Sequence, residues 1–282
     1  MTTVIACIDG SPSSAAVCDY SAWASVRLAS PLTLVHILED VVQAPTDLSG
    51  SIGLGSREHL LQELADLDEK RGRLAREHGQ HLLEAAKHRL DQLGIVHPKS
   101  VQRHGSLVDS LKAMEEDTRL LVIGRQGEDS GNVFQHIGGH VESVIRTLHR
   151  PVLVVPNDFV MPQSFLIAFD GSANAHRVVE RLVQSPLLKG LDCHLLMVGE
   201  ASAEQQAQLD WATSQLQQAG YTTYAKTCQG DVEDELERYC REQFVNLLVM
   251  GAYGHSRIRQ FLVGSTTTTM LRRATVPLLM LH

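Results

Sequence analysis

Short apolar runs alternate with longer amphipathic stretches along most of the chain. The runs are about five to seven residues long, which is typical of buried strands, and the stretches between them have helical spacing. This alternation predicts strand-helix-strand units and therefore a parallel sheet. The predicted strands lie near residues 3–8, 32–38, 95–102, 120–124, 151–155, 164–169, 192–198, 221–227, 246–250 and 277–281.

The second half of the sequence repeats the first. An apolar run ending on Asp-Gly-Ser occurs as Thr3-Val-Ile-Ala-Cys-Ile-Asp-Gly-Ser11 and again as Ser164-Phe-Leu-Ile-Ala-Phe-Asp-Gly-Ser172. Further matched pairs are 120–127 with 247–254 and 143–155 with 269–281. Matched blocks in one order indicate a duplication. We therefore expect an α/β protein of two tandem doubly wound domains, each an open five-stranded parallel sheet flanked by helices.

The length of the chain agrees with this organisation. At ~100–200 residues per domain, 282 residues hold about two domains. The predicted boundary is the proline-bracketed segment Pro156-Asn-Asp-Phe-Val-Met-Pro162, which follows the last strand of the first copy. The first domain is expected to cover residues 1–156 and the second residues 163–282.

One amphipathic stretch of the first copy is much longer than its counterpart in the second. It runs from about Arg57 to Leu93, whereas the counterpart covers Ala203 to Ala219. The preceding segment, residues 40–56, is predicted to be a surface loop, because its glycines do not complete the phosphate-binding pattern G-x-G-x-x-G. The apolar positions of the long stretch are Leu60, Leu64, Leu67, Leu74, Leu83, Ala86, Leu90 and Leu93.

Composition narrows the classes of partner and the compartment. The formal net charge of −8 disfavours a nucleic-acid surface, which needs excess Lys and Arg. No apolar stretch approaches the ~18–20 residues of a membrane span, and the N-terminus lacks the basic region of a signal peptide. The five cysteines include no C-x-x-C pair, which favours reduced thiols and a cytoplasmic protein.

Candidate binding residues collect at predicted strand ends of the second copy. Asp170 ends its first strand, and Gly251-Ala-Tyr-Gly254 follows its fourth. After nine more residues, Gly264-Ser265-Thr266-Thr267 opens a helix. Glycines let the backbone approach a ligand closely, and the unpaired N–H groups of a helix N-terminus attract anions. Ligands of open parallel sheets bind outside the carboxyl ends of the strands, where these residues should meet.

The pattern G-x2-G-x9-G-S/T, with an aspartate at the end of the first strand, resembles the ATP-binding signature of the universal stress protein family. The resemblance covers the whole chain as two family domains. It implies the adenine nucleotide alpha hydrolase-like fold, a role in the stress response, and ATP or a related adenine nucleotide, with or without Mg²⁺, as the ligand. The implied nucleotide-binding residues are Ala168, Asp170, Val198, Met250, Gly251, Tyr253, Gly254, Gly264, Ser265, Thr266 and Thr267.

The first copy departs from this pattern. Ten residues instead of nine separate Gly127 from Gly138, and Gly139-His140 stand where Ser and Thr are expected. Acidic Glu128 and Asp129 follow Gly127, and carboxylates beside a triphosphate are unfavourable. We therefore expect the first copy to bind ATP weakly or not at all, although Asp9 keeps the carboxylate at the end of its first strand.

Several alternatives stay open at this point. Asp9 and Asp170 also suit turns and helix caps. His136, His140 and His149 are interpreted as surface or cap histidines rather than metal ligands, because no H-E-x-x-H or cysteine partner accompanies them. A nucleotide sensor or regulator is favoured over a slow ATP hydrolase and over an interaction module whose first domain binds another ligand. No catalytic residue is assigned.

The family resemblance also implies how the domains associate. The apolar strands near 152–155 and 278–281 are edge candidates, and such edges pair between domains of the family. Here the pairing would lie within the chain and form a pseudo-dimer. A further homodimer and an unidentified protein partner are compatible with the sequence.

Overall fold

Ten strands and eight α-helices make up the part of the chain that the computed structural model describes, residues 2–39, 54–125, 139–200, 202–252 and 265–282. The strands are β1 Thr3–Cys7, β2 Leu32–Leu38, β3 Lys99–His104, β4 Thr118–Gly124, β5 Val152–Val155, β6 Ser164–Ala168, β7 Asp192–Val198, β8 Thr223–Cys228, β9 Leu248–Gly251 and β10 Leu278–Leu281. The helices are α1 Ser14–Leu28, α2 Leu54–Gln92, α3 Leu107–Ala113, α4 Gly139–Thr147, α5 Ala173–Gln184, α6 Ala203–Gln218, α7 Val232–Glu242 and α8 Ser265–Arg273, with a short 3-10 helix at Glu115–Asp117.

The strands join in a single sheet of order β3-β2-β1-β4-β5-β10-β9-β6-β7-β8. Strands within each half pair in parallel, and the chain winds outward from β1 or β6 to one side before returning to the other. At the junction, β5 and β10 pair antiparallel, with Leu153 opposite Leu279. The predicted α/β class with two tandem, doubly wound parallel sheets is confirmed, and the predicted pairing of the terminal strands within the chain is observed.

Apolar layers cover both faces of the sheet, which is why most strands read as continuous hydrophobic runs. Alternate residues of β1 point to opposite layers, so that Val4 belongs to one apolar cluster and Ile5 to the other. The first cluster includes residues of α1, α2, α5 and α6, and the second residues of α3, α4, α7 and α8. Both clusters continue through the two halves, so the halves share their hydrophobic core.

Two strands begin later than their apolar residues indicate. The third strand was expected from residue 95, but Gly94 and His97 have φ values of +80° and +55°, and Pro98 follows. These left-handed turn residues delay β3 until Lys99. In the same way Gly220, at φ +89°, turns the chain before β8. The apolar Tyr221 precedes that strand and packs edge-on against Phe165.

The long helix α2 begins slightly before its predicted start, at Leu54, so the predicted loop ends too late by three residues; its remainder, residues 40–53, lies outside the described residues. The C-terminal part of α2 packs on the domain through the buried Leu83, Ala86 and Leu90. An ion pair to α1 fastens it further, with Arg89 Nε 2.7 Å and Nη2 2.6 Å from the two carboxylate oxygens of Asp19. Within the described side chains of α2, residues 62–78 have no comparable packing.

Polar contacts tie the two halves together besides the β5–β10 pairing. Tyr20 of α1 holds the connecting segment, because its hydroxyl donates to the carbonyl oxygen of Val160 at 3.2 Å and accepts from the Val160 N–H at 3.1 Å. The Arg27 guanidinium donates to the carbonyl oxygens of Leu187 and Lys189 in the second half. No helix among the described residues is both long enough and apolar enough to span a membrane.

Candidate functional site

Three predicted binding residues of the second half, Asp170, Val198 and Gly251, lie where its strand order reverses. Strand β6 lies between β7 and β9, with Ala168 opposite Leu196 and Ile167 opposite Val249. This register brings Asp170, Val198 and Ala252 to the same level at the carboxyl ends of the three strands. Such a reversal point is where open α/β sheets bind their ligands.

Asp170 lies in the turn between β6 and α5, two residues beyond the end of the strand. Its Oδ1 accepts a hydrogen bond from the Ser172 N–H at 3.0 Å, and Ser172 caps α5 by accepting from the Ala175 N–H at 3.2 Å. The side chain is exposed, and within the described residues Oδ2 receives no hydrogen bond. The turn interpretation of Asp170 is thus correct for one oxygen, while the other is available to a ligand.

The turn after Asp170 is fixed from behind by α6. Gly171 has φ +70°, a left-handed conformation that favours glycine. A Cβ at Gly171 would also lie 3.4 Å from the Cβ and Cγ of Gln208. Gln208 Oε1 is 2.6 Å from Nε2 of His176, and the His176 ring stacks on Trp211 with centroids 3.9 Å apart. These contacts hold the Asp170 turn in one position.

Gly251 ends β9 in close contact with the first turn of α5. An ideal Cβ at Gly251 would lie 2.1 Å from Nδ2 of Asn174, a distance that no side chain could tolerate without a shift. The absence of a Cβ was predicted to admit a ligand, but in the structure it admits the buried amide of Asn174. Sequence reasoning missed Asn174; its only signal is its place four residues after Asp170.

The predicted phosphate-binding segment opens α8. Ser265, Thr266 and Thr267 form the first turn of this helix, and first-turn N–H groups have no acceptor within a helix. Thr266 is half-buried and Thr267 is buried. These main-chain groups can bind an anion. Tyr253, Gly254 and Gly264, also predicted to contact the nucleotide, lie outside the described residues.

Three other predicted residues differ in the groups that they can present to a ligand. Ala168 and Val198 are half-buried at the ends of their strands and present apolar surface there. The Met250 side chain belongs to the apolar cluster beneath the sheet, so only its main chain can face a ligand. The carboxyl-end side of the sheet in this half therefore carries a carboxylate and apolar strand ends, and α8, which connects β9 to β10, begins on the same side.

The first half is built differently at the corresponding place. Asp9 Oδ1 accepts from the Ser11 N–H and from the Ser14 hydroxyl, each at 3.0 Å. Beyond β2, the carboxylate of Glu39 lies 3.3 Å from Nδ1 of His140 in the first turn of α4. A negative group thus occupies the neighbourhood of the helix N-terminus in this half.

The three histidines first considered as metal ligands all belong to the first half of the chain. His149 Nδ1 lies 3.4 Å from Glu115, and His136 lies outside the described residues. Among the described residues no group of three His, Cys, Asp or Glu side chains is arranged to hold a metal ion.

A cavity of about 570 Å³ opens between the halves, beside Arg119, Arg150 and Arg181. None of the predicted site residues lines it.

The fold and the arrangement at β6 define the class: a duplicated α/β protein whose halves each have a strand-order reversal point. The chain belongs to the universal stress protein family, because the sequence profile described as "Universal stress protein family" matches residues 1–156 and 195–282. It is 33% identical to universal stress protein Slr1230 of Synechocystis sp. over 284 residues, which cover 99% of each chain.

Solved structures support the same fold. A universal stress protein from Archaeoglobus fulgidus DSM 4304 superposes with a TM-score of 0.73 at 18% identity, covering 99% of this chain and 97% of that one. A protein of unknown function from Pseudomonas aeruginosa PAO1 gives a TM-score of 0.60 at 13% identity, covering 100% and 92%. These two likenesses show the architecture of both halves together.

Proposed function

We propose that the second half, residues 163–282, binds ATP or a related adenine nucleotide and that the protein acts as a nucleotide-dependent regulator in the stress response. The observation that supports this most is the position of Asp170, Val198 and Gly251 around the reversal point at β6. Helix α8 connects the parallel strands β9 and β10, so its first turn begins on the same side of the sheet. A carboxylate, apolar strand ends and a helix N-terminus together suit the three parts of a nucleotide.

Each group has a distinct part in this proposal. The free Oδ2 of Asp170 accepts a hydrogen bond from a ribose hydroxyl. The half-buried Ala168 and Val198 lie against the base. The first-turn N–H groups of α8, from Ser265 to Thr267, receive phosphate oxygens, with Gly264 and the Tyr253-Gly254 segment leading to them. Met250 contributes its main chain, and Gly251 leaves room for Asn174 beside the sugar.

The first half lacks a helix N-terminus free of negative charge, which a triphosphate site requires. The carboxylate of Glu39 reaches from the end of β2 to within 3.3 Å of Nδ1 of His140 in the first turn of α4, and it also accepts from the Leu107 N–H at 3.4 Å. A carboxylate at a helix N-terminus already satisfies the positive end of the helix dipole. A phosphate entering there would meet like charge, so ATP is proposed to bind one site per chain.

Titration calorimetry with ATP tests the proposal. Asp170→Asn should weaken binding tenfold or more, because a hydrogen bond to a charged group contributes ~1.5–3 kcal/mol and ~1.4 kcal/mol corresponds to a tenfold change. The matched Asp9→Asn variant should bind as the wild type does. Gly264→Asp, which puts a carboxylate at the start of α8, should abolish binding.

Two results would argue against this assignment. Equal affinity for ATP in the wild type and in Gly264→Asp would show that the phosphates do not bind at the start of α8. A loss confined to Asp9→Asn would place the nucleotide in the first half.

We also infer that the protein is cytoplasmic. All five cysteines are free and four of them are buried, and burial raises the pKa of the thiols of Cys7 and Cys240 to about 12. Buried thiols that far from ionisation are core residues and suit a reducing compartment. Cell fractionation of the tagged full chain would test the location.

A further inference from the structure

Residues 62–78 of α2 extend beyond the domain, with their side chains in solvent. At a rise of ~1.5 Å per residue, 39 residues make a helix of about 58 Å. Packing starts at Gly79, where a Cβ would lie 2.1 Å from Nε2 of Gln102 and 2.4 Å from Cδ2 of His36. From Gln62 to His78 every residue is exposed except the half-buried Gly72.

Leucines continue along this exposed part in the spacing of a helix-pairing seam. Leu64, Leu67 and Leu74 are 39%, 52% and 59% exposed. Their separations of three and seven residues place Leu64 at an a position of a heptad and Leu67 and Leu74 at successive d positions, with Arg71 at the intervening a position. Isolated helices rarely keep an apolar seam in water without a partner. The seam therefore indicates a surface that another helix covers.

Charge along the same segment separates into two blocks. Residues 63–69 carry Glu63, Asp66, Asp68 and Glu69 and no basic residue, whereas residues 70–76 carry Lys70, Arg71, Arg73 and Arg76 and no acidic one. Two copies side by side in parallel would place like blocks together. Two copies in antiparallel orientation place each acidic block against a basic block, so the segment is complementary in charge to a second copy of itself about a two-fold axis perpendicular to the helices.

We propose that the exposed part of α2, residues 62–78, is a homodimer interface in which the helices of two copies pair antiparallel about a two-fold axis near Glu69. In this register Leu64 of one copy faces Leu74 of the other, and Leu67 faces Arg71. With three leucines from each copy the interface is small, so association is reversible and depends on protein concentration.

Sedimentation equilibrium of the full chain over a wide concentration range tests the dimer. The wild type should pass from monomer to dimer, and Leu67→Asp should raise the dissociation constant at least tenfold. Val96→Asp is the matched control, since Val96 is 67% exposed but lies outside α2; its dissociation constant should equal that of the wild type. A wild type that stays monomeric throughout would overturn the proposal.

Charge reversal and cross-linking test the orientation. The dissociation constant of the dimer should rise tenfold or more in each of two charge-reversal variants, Asp66→Lys/Glu69→Lys and Lys70→Glu/Arg73→Glu. An equimolar mixture of the two variants should restore dimerisation. In a Cys228→Ser background, Leu64→Cys protein mixed with Leu74→Cys protein should form a mixed disulfide upon oxidation. A disulfide between two Leu64→Cys chains would show parallel pairing and overturn the antiparallel arrangement. If the mixture of the two charge-reversal variants did not dimerise, the pairing of acidic with basic blocks would be overturned as well.

Discussion

The amide of Asn174 occupies the space where a side chain at Gly251 would begin, with Nδ2 only 2.1 Å from an ideal Cβ of that glycine. Gly251→Ala should therefore lower the free energy of unfolding by ~1–3 kcal/mol, the usual cost of overpacking a core. Urea denaturation measures this change. The double variant Gly251→Ala/Asn174→Ala should recover part of the loss, because the amide that clashes is then absent.

Gly72→Ala is the control for this pair. Gly72 lies in α2 with only its own neighbour Arg76 near, at 3.6 Å from an ideal Cβ, so alanine there should stabilise by ~0.5–1 kcal/mol. If Gly251→Ala were as stable as the wild type, the contact with Asn174 would not constrain the end of β9.

The ion pair between Asp19 and Arg89 should contribute to fastening α2. Asp19 is largely buried and receives both Nε and Nη2 of the guanidinium, and charged hydrogen bonds contribute ~1.5–3 kcal/mol. Arg89→Met should destabilise by that order, since it leaves a buried carboxylate without its partner. Arg73→Met breaks an exposed pair with Glu77 at 3.8 Å and, at concentrations low enough to keep the protein monomeric, should change stability by less than ~0.5 kcal/mol. Similar thermal midpoints for the two variants would contradict this difference.

His282 should make the protein less stable in mild acid. Burial, with smaller effects of the nearby His149 and Arg181 and opposed by Glu115, lowers the pKa of His282 from 6.5 to about 4. Between those values the unfolded chain binds a proton that the folded chain does not, so stability falls as pH decreases from 6.5 to 4. At ~1.4 kcal/mol per pKa unit the loss approaches ~3 kcal/mol.

Denaturation at pH 7, 5.5 and 4.5 measures this loss. His282→Gln should show a shallower dependence on pH than the wild type, whereas His88→Gln, at an exposed position of α2, should match the wild type. Identical slopes in all three proteins would show that His282 ionises normally in the folded state.

Tyr20 should anchor the segment between the halves. Its hydroxyl bonds to both the N–H and the carbonyl of Val160, and its ring meets Phe159 edge-on at 4.7 Å. Tyr20→Phe keeps the ring but removes both hydrogen bonds, so we expect a loss of ~1–2 kcal/mol. Tyr224→Phe, at a half-exposed ring, should be neutral. Faster proteolysis near Val160 in the first variant alone would confirm the anchoring role.

The sequence alone predicted the secondary-structure elements that are determined by residues close together in the chain. Apolar runs and their repetition located the strands, and the family resemblance implied the internal pairing of β5 with β10. Strand starts were less accurate where backbone conformation decides, as at His97, whose positive φ has no signal in the apolar pattern. The predicted positions of Asp170 and Val198 at strand ends hold to within two residues, because strand ends follow from periodicity.

Contacts between distant segments could not be predicted in the same way. The proximity of Asn174 to Gly251 depends on how α5 crosses β9, and the bonds from Arg27 to the Leu187 carbonyl depend on how the halves meet. Nothing in the spacing of apolar residues distinguishes Leu83, which packs on the domain, from Leu67, which does not. Tertiary geometry decides each of these cases.

The antiparallel pairing of β5 with β10 has a consequence for stoichiometry. Only residues 156–163 separate β5 from β6, and a short tether gives its two ends an effective concentration in the millimolar range. Separate subunits would part upon dilution, but these two halves stay joined at any abundance of the protein. The two halves are therefore always present in a one-to-one ratio, even when the binding site of one half has changed. They can diverge in sequence without the risk that either half pairs with a copy of itself instead of with the other half.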